Sequence, residues 1–194
     1  MIATRKKIST RSMAITAMLG AISAVLGMTP LGFIPVGATN ATIMHIPVII
    51  GAVLEGPIVG LMVGIIFGVF SLIRSITTPT PISFVFWNPM VSVVPRILIG
   101  IVSYYVYVFI LKKVKNEAIA FGGAGLLGTL TNTVGVLGMI YLMYGAKFAS
   151  AIGQDPATAG KVIFGIGLAN GIPEMVLATV IVMLVGKSLR AIKR

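Results

Sequence analysis

Apolar residues run along the chain in long blocks broken by short polar punctuation, and the breaks predict six membrane-crossing helices. The blocks cover about Ser12 to Met28, Ile43 to Leu54, Pro57 to Ile73, Pro89 to Leu111, Ala118 to Tyr144 and Ala159 to Leu189. A crossing needs about 20 apolar residues, so the second block is short unless it extends back through Asn40. Only Glu55-Gly56-Pro57 separates it from the third, which carries glycine at 56, 60, 64 and 68. Such a ladder strips one helix face of side chains and lets a neighbouring helix approach closely. Three longer and more polar segments, 29–42, 75–88 and 145–158, alternate with the tighter connections. The first holds Thr39, Asn40 and Thr42 just ahead of His45, a polar mouth that a plain anchor does not need. The second, SITTPTPISFVFWN, has the proline and threonine content of a surface loop or a lid.

Composition turns this pattern into a class. With 57% hydrophobic residues, 10% charged residues and a mean hydropathy of +1.07, the chain falls well short of the roughly 25% charge of soluble domains. It reads as an all-α polytopic membrane protein whose 194 residues form a single domain. The first apolar block stays as a span, because several more follow it without an export-type arrangement.

A net charge of +11 raises the question of nucleic acid, but the basic residues form no binding face interleaved with aromatics. Their placement is topological. Arg5, Lys6, Lys7 and Arg11 precede the first span, Lys112, Lys113 and Lys115 lie between the fourth and fifth, and Lys187, Arg190, Lys193 and Arg194 close the chain. These are eleven of fifteen, all on one side of a six-span topology, whereas Arg74, Lys147 and Lys161 sit at span ends on the other. The positive-inside rule therefore predicts that both termini are cytoplasmic.

Ionisable groups inside spans are costly, and those present usually face a cavity or a partner. Arg96, in VVPRILIG, can hold an anionic substrate group bidentately, or it can serve Glu174 or carbonyls freed by Pro95. Glu174 shares a helix face with Asn170 in LANGIPEMV, and Asn132 lies among threonines in GTLTNTVG at comparable depth. Interhelical hydrogen bonds are the common use of such residues, yet three polar clusters at one depth favour a cavity. His45, Asn40, Trp87 and Asn88 follow or end the outward loops and are candidates for its rim. Trp87 is also a natural interface anchor.

What is missing narrows the chemistry further. There is no cysteine and one histidine, without a spaced carboxylate pair, so no metal site and no cofactor are expected. Nucleotide-binding and protease motifs are absent, which argues against an enzyme and leaves no energy source in the chain. The first span has a small-residue face, Ala14, Ala17, Ala21 and Ala24, suited to internal packing or to another membrane subunit.

With the AxxxA face at Ala17 to Ala21, HIPVIIGAVLEGPIVGLMVGIIFG at 45–68 and NPMVSVVPRILIG at 88–100, the chain resembles the substrate-binding S components of energy-coupling factor (ECF) vitamin transporters. The likeness covers nearly the whole chain and is strongest toward pantothenate-specific members. Riboflavin members typically open the second span with an aspartate-rich segment that is lacking here. The resemblance implies a multi-pass protein of a prokaryotic plasma membrane that captures a vitamin at high affinity. It implies docking through span one on the transmembrane coupling protein EcfT with two ATPase subunits, and release by toppling in the membrane. For pantothenate, Arg96 is then the expected carboxylate partner. Asn132, Asn170 and Glu174 are expected hydrogen-bond partners, with His45 or Asn88 at the rim. Another vitamin such as riboflavin or folate, a solitary facilitator, and a purely structural membrane protein remain the alternative readings.

Overall fold

A computed structural model describes residues 9–36 and 39–192, with the side chains of 33–41, Asn40 among them, outside the described part. The basic residues Arg5, Lys6, Lys7, Lys193 and Arg194 also lie outside it.

Helix α1 spans Thr10–Met28 and is capped by Ser9, whose hydroxyl accepts from the backbone of Ser12 at 3.1 Å. After a short 3-10 turn at Pro30–Gly32 the chain forms an antiparallel ribbon of β1, Phe33–Val36, and β2, Thr39–Thr42. This short ribbon is the one extended element among the described residues of an otherwise helical chain, and the all-α class stands. Phe33, Ile34 and Val36 favour extended backbone, and Pro35 disfavours a helix interior.

Helix α2, Ile46–Glu55, is ten residues long and so rises only about 15 Å. Five other helical segments are long and apolar enough to cross a membrane. Eight residues of α2, Ile46 to Val53, are buried, and it packs against α1, α3, α5, α6 and α7. A helix walled by protein satisfies its polar ends without facing lipid, and can therefore be short. It passes into α3, Pro57–Thr77, through Gly56 at φ 107°, a left-handed conformation open to glycine, with Pro57 starting the new helix.

The fourth apolar block is not one helix. It divides into α4, Pro89–Ser92, and α5, Val94–Val114, with a break at Val93. Pro95 has no N–H for the carbonyl four residues back, so the helical ladder is interrupted there. Helix α6, Glu117–Ala151, continues seven residues past the expected end at Tyr144 and buries Phe148 and Ala149. Helix α7, Ala159–Ile192, completes the bundle and tolerates Pro173 in its interior.

The core lies around α2. Val48, Ile49, Val63, Ile99, Phe121 and Val182 are fully enclosed there. One end of the bundle carries the ion pairs: Arg11 stands 3.9 Å from Glu55, and Arg190 stands 3.3 Å from Glu117 and also donates to the Tyr107 hydroxyl. Of the four acidic residues, Glu174 alone is buried deep in the bundle, which sets it apart from pairs that merely tie helix ends together.

Candidate functional site

A cavity of about 150 Å³ lies between β2, α5, α6 and α7. Thr42, Arg96, Asn132, Thr133, Asn170 and Glu174 give it a polar lining, and Val136, Leu137 and Ile166 close it on the apolar side. Four residues singled out from sequence, Arg96, Asn132, Asn170 and Glu174, thus meet at one space although 78 positions separate the first from the last.

Arg96 stands in the first turn of α5 and is 7% exposed. Its Nη1 donates to the Val91 carbonyl at 2.8 Å. That carbonyl lies four residues before Pro95 and is the acceptor the proline leaves unused, so the guanidinium repairs the helix break with one of its arms. The Phe67 and Phe86 rings flank the charge, their centroids 5.4 and 5.9 Å from Cζ, and contribute cation–π attraction on the dry side. Nε remains buried without a hydrogen-bond partner.

Glu174 faces the same cavity, but no ion pair joins it to Arg96 among the described residues. One of its oxygens, Oε1, instead accepts from the backbone N–H of Thr42 at 2.9 Å and from the Thr42 hydroxyl at 2.7 Å. Two bonds to one charged oxygen fasten the end of the ribbon to α7. Glu174→Ala removes both and leaves a backbone donor unpaired. It is expected to lower stability by about 2 kcal/mol, read as a fall in the thermal midpoint of the detergent-purified protein, whereas Glu174→Gln keeps an acceptor and loses less.

The threonines of α6 sort themselves by hydrogen bonding. Thr129 and Thr131 donate to the carbonyls of Gly125 and Leu127, at 2.8 and 2.7 Å, and so are satisfied within their own helix. Thr133 Oγ1 and Asn132 Oδ1 are buried and have no partner. Buried polar atoms are nearly always paired, and a group of three without partners around one cavity marks a place for a ligand or water.

A family model described as "ECF transporter, substrate-specific component" matches residues 11–186. The pantothenic acid transporter PanT of Lactococcus lactis subsp. cremoris is 32% identical over 155 residues, covering 73% of this chain and 75% of its own. The pantothenate transporter PanT of Leuconostoc mesenteroides subsp. mesenteroides is 32% identical over 168 residues, covering 84% and 81%. The chain belongs to the substrate-specific components of ECF transporters.

Of the other candidate residues of this S component, the side chain of Asn40 lies outside the described part, and His45, Trp87 and Asn88 are not in the cavity lining. His45 is 1% exposed and its Nε2 is 2.8 Å from Thr129 Oγ1. Because the Thr129 proton goes to Gly125, the histidine donates from Nε2 in this bond, and its Nδ1 is buried without a partner. Trp87 is half exposed and donates to the Ser75 carbonyl at 3.1 Å. Asn88 caps α4 through a 2.9 Å bond from the Met90 backbone and donates to the Tyr144 hydroxyl at 3.1 Å.

Thr42 and Thr133 join the lining without having been singled out as ligand contacts. Thr133 follows Asn132 directly, but only the absence of a back-bond distinguishes it from Thr131. On α1, Thr16, Gly20, Ser23 and Gly27 turn into the bundle, while Ala14, Ala17 and Ala21 are exposed and Ala24 is half-buried. Internal packing therefore uses a different face from the alanines.

Proposed function

We propose that this S component binds pantothenate in the cavity between β2, α5, α6 and α7. The observation that carries the reading is the trio of unpartnered buried atoms around that space: a guanidinium donor, an amide acceptor and a hydroxyl. Pantothenate is an anion with an amide and two hydroxyls, and it complements this set. Arg96 takes the carboxylate, Asn132 Oδ1 accepts from an N–H or O–H, and Thr133 and Asn170 complete the polar contacts. The second oxygen of Glu174 accepts a substrate hydroxyl while the first holds Thr42. The relatives named for pantothenate support the choice of vitamin.

Ligand cavities of roughly 300–1,000 Å³ are usual for molecules of drug size, so substrate widens the space of about 150 Å³ seen here. The ribbon is the wall that yields, being held to α7 by the Thr42 bonds to Glu174.

The wider arrangement follows the family. Six crossings, counting α2 as one and α4 with α5 as one, place both termini in the cytoplasm of a prokaryotic cell. The exposed Ala14, Ala17 and Ala21, with Ala24, dock on the coupling protein EcfT, which carries two ATPases. Toppling of the chain on that module delivers the vitamin. The chain itself performs no catalysis.

The test is binding followed by transport. Titration of the purified chain with pantothenate, riboflavin and folate is expected to give heat with pantothenate alone. Uptake into proteoliposomes is expected to require the coupling protein, both ATPases and ATP. Binding of another vitamin in preference overturns the substrate; ATP-independent flux through the chain alone makes it a facilitator.

A further inference from the structure

Among the described residues that line the polar cavity there is one cation, Arg96, and one anion, Glu174, and the helices set them at different depths. Register on α6 gives the offset. A Cβ at Gly171 would lie 3.1 Å from Thr133 Cγ2 and one at Gly167 3.1 Å from Leu137 Cδ1, so α7 runs antiparallel to α6 and Glu174 stands about level with Leu130. A Cβ at Gly135 would lie 3.0 Å from Pro95 Cβ, and Gly128 faces Ser103, so α5 is antiparallel to α6 as well and Arg96 stands about level with Val134. Four helical positions part the two levels by about 6 Å. Asn132 and Thr133, whose buried Oδ1 and Oγ1 have no partner, fall between them. Down the cavity the order is therefore cation, neutral hydrogen-bonding groups, anion.

No ion pair neutralises Glu174 among the described residues, and the two bonds it accepts come from neutral donors of Thr42 and fall on one oxygen. This end of the cavity favours a hydrogen-bond donor and opposes a second negative charge, since like charges repel strongly where little water screens them. We infer that Glu174 is a specificity-determining residue that fixes the polarity of the bound vitamin and excludes its phosphate monoester. The inference rests on the pantothenate reading. Pantothenate carries its groups in the order of the cavity, with the carboxylate at one end, the amide in the middle and the hydroxyls towards the other. The carboxylate then lies at Arg96 and the primary hydroxyl at Glu174. Phosphorylation of that hydroxyl replaces a donor by a group of nearly two negative charges beside a buried carboxylate. Reversing the molecule gives no escape, because its own carboxylate then meets Glu174.

Competition against labelled pantothenate on the full, detergent-purified chain compares the vitamin with the phosphate monoester of its primary hydroxyl and with the acetate ester of the same hydroxyl, which adds no charge there. Wild type is expected to bind the phosphate at least a hundredfold more weakly than the vitamin, and the acetate about tenfold more weakly through the loss of one donor. Glu174→Gln, which keeps an acceptor for Thr42, is expected to bring the phosphate penalty down to that of the acetate. Equal penalties for the two esters in wild type overturn the inference, because size then excludes both. So does a phosphate ester that wild type binds as tightly as the vitamin, and so does a phosphate penalty that survives undiminished in Glu174→Gln. All three outcomes leave pantothenate binding intact, and the first two are read on wild type alone. Failure of wild type to bind pantothenate instead overturns the substrate, and this inference with it.

Discussion

Arg96→Ala is expected to lower the affinity for pantothenate about a hundredfold, equivalent to about 2.7 kcal/mol, because it removes a charge-assisted contact made in a buried site. The same change frees the Val91 carbonyl that Nη1 now holds, so part of any loss can come from a loosened helix break, worth about 1 kcal/mol. A substrate analogue separates the two effects. Pantothenol replaces the carboxylate by a neutral alcohol and keeps the rest of the molecule. Wild type is expected to prefer the acid strongly, and Arg96→Ala to bind acid and alcohol about equally. The cycle formed by two proteins and two ligands isolates the carboxylate term from general damage to the cavity. If calorimetry shows that the alanine variant still prefers the acid by the wild-type factor, Arg96 does not hold the carboxylate.

The reason Arg96 and Glu174 stood out in sequence is energetic. A charge inside an apolar block is costly wherever it ends up, so its presence alone points to a cavity or a partner. Both indeed border one space with Asn132 and Asn170. The division of labour within Arg96 was not legible in the same way. Pro95 announces a freed carbonyl, but whether water, a hydroxyl or the adjacent guanidinium takes it depends on a side-chain rotamer set by Phe67 and Phe86. Thr131 and Thr133 are likewise indistinguishable by type, and only hydrogen-bond geometry separates the self-satisfied one from the open one.

The helix map shows a similar boundary. Long apolar blocks placed the spanning segments, since the membrane imposes length and composition on them. Where the blocks met polar sequence, local chemistry was ambiguous. The Lys147 region looked like the start of a loop, yet α6 runs on to Ala151 because Phe148 and Ala149 have a core to enter and Lys147 lies over the Phe84 ring at 4.6 Å. Trp87 and Asn88, adjacent to the span that carries Arg96, have spent their polar groups on Ser75, Met90 and Tyr144. Proximity in sequence suggested the rim, and these hydrogen bonds run to neighbouring residues outside the cavity lining.

Gly64→Ala is expected to destabilise the bundle and to reduce vitamin binding without touching the ligand. A Cβ at Gly64 would fall on the carbonyl oxygen of Arg96, with the next nearest atoms, Arg96 C and Ile97 N, at 2.9 and 3.2 Å. These are backbone atoms, so no side chain can swing aside and α3 must separate from α5. Neighbouring rungs resist the separation: a Cβ at Gly60 would stand 2.5 Å from Ala52 Cβ, and one at Gly68 2.7 Å from Val93 Cα. Alanine gains about 1 kcal/mol in helix propensity over glycine, while overpacking of a rigid contact costs about 1–3 kcal/mol or more, so the net effect is loss. Displacing the Arg96 backbone also moves the guanidinium, and an error of about 1 Å at a positioning group can cost about a hundredfold. Gly165→Ala supplies the control, since nothing lies within 4 Å of a Cβ there. Thermal denaturation and pantothenate titration of the two variants are expected to diverge, with Gly165→Ala unchanged in affinity and slightly raised in midpoint by its helix propensity, and Gly64→Ala reduced in both. Equal midpoints and affinities for the two would show that α3 and α5 separate freely, and that the glycine ladder does not set the position of Arg96.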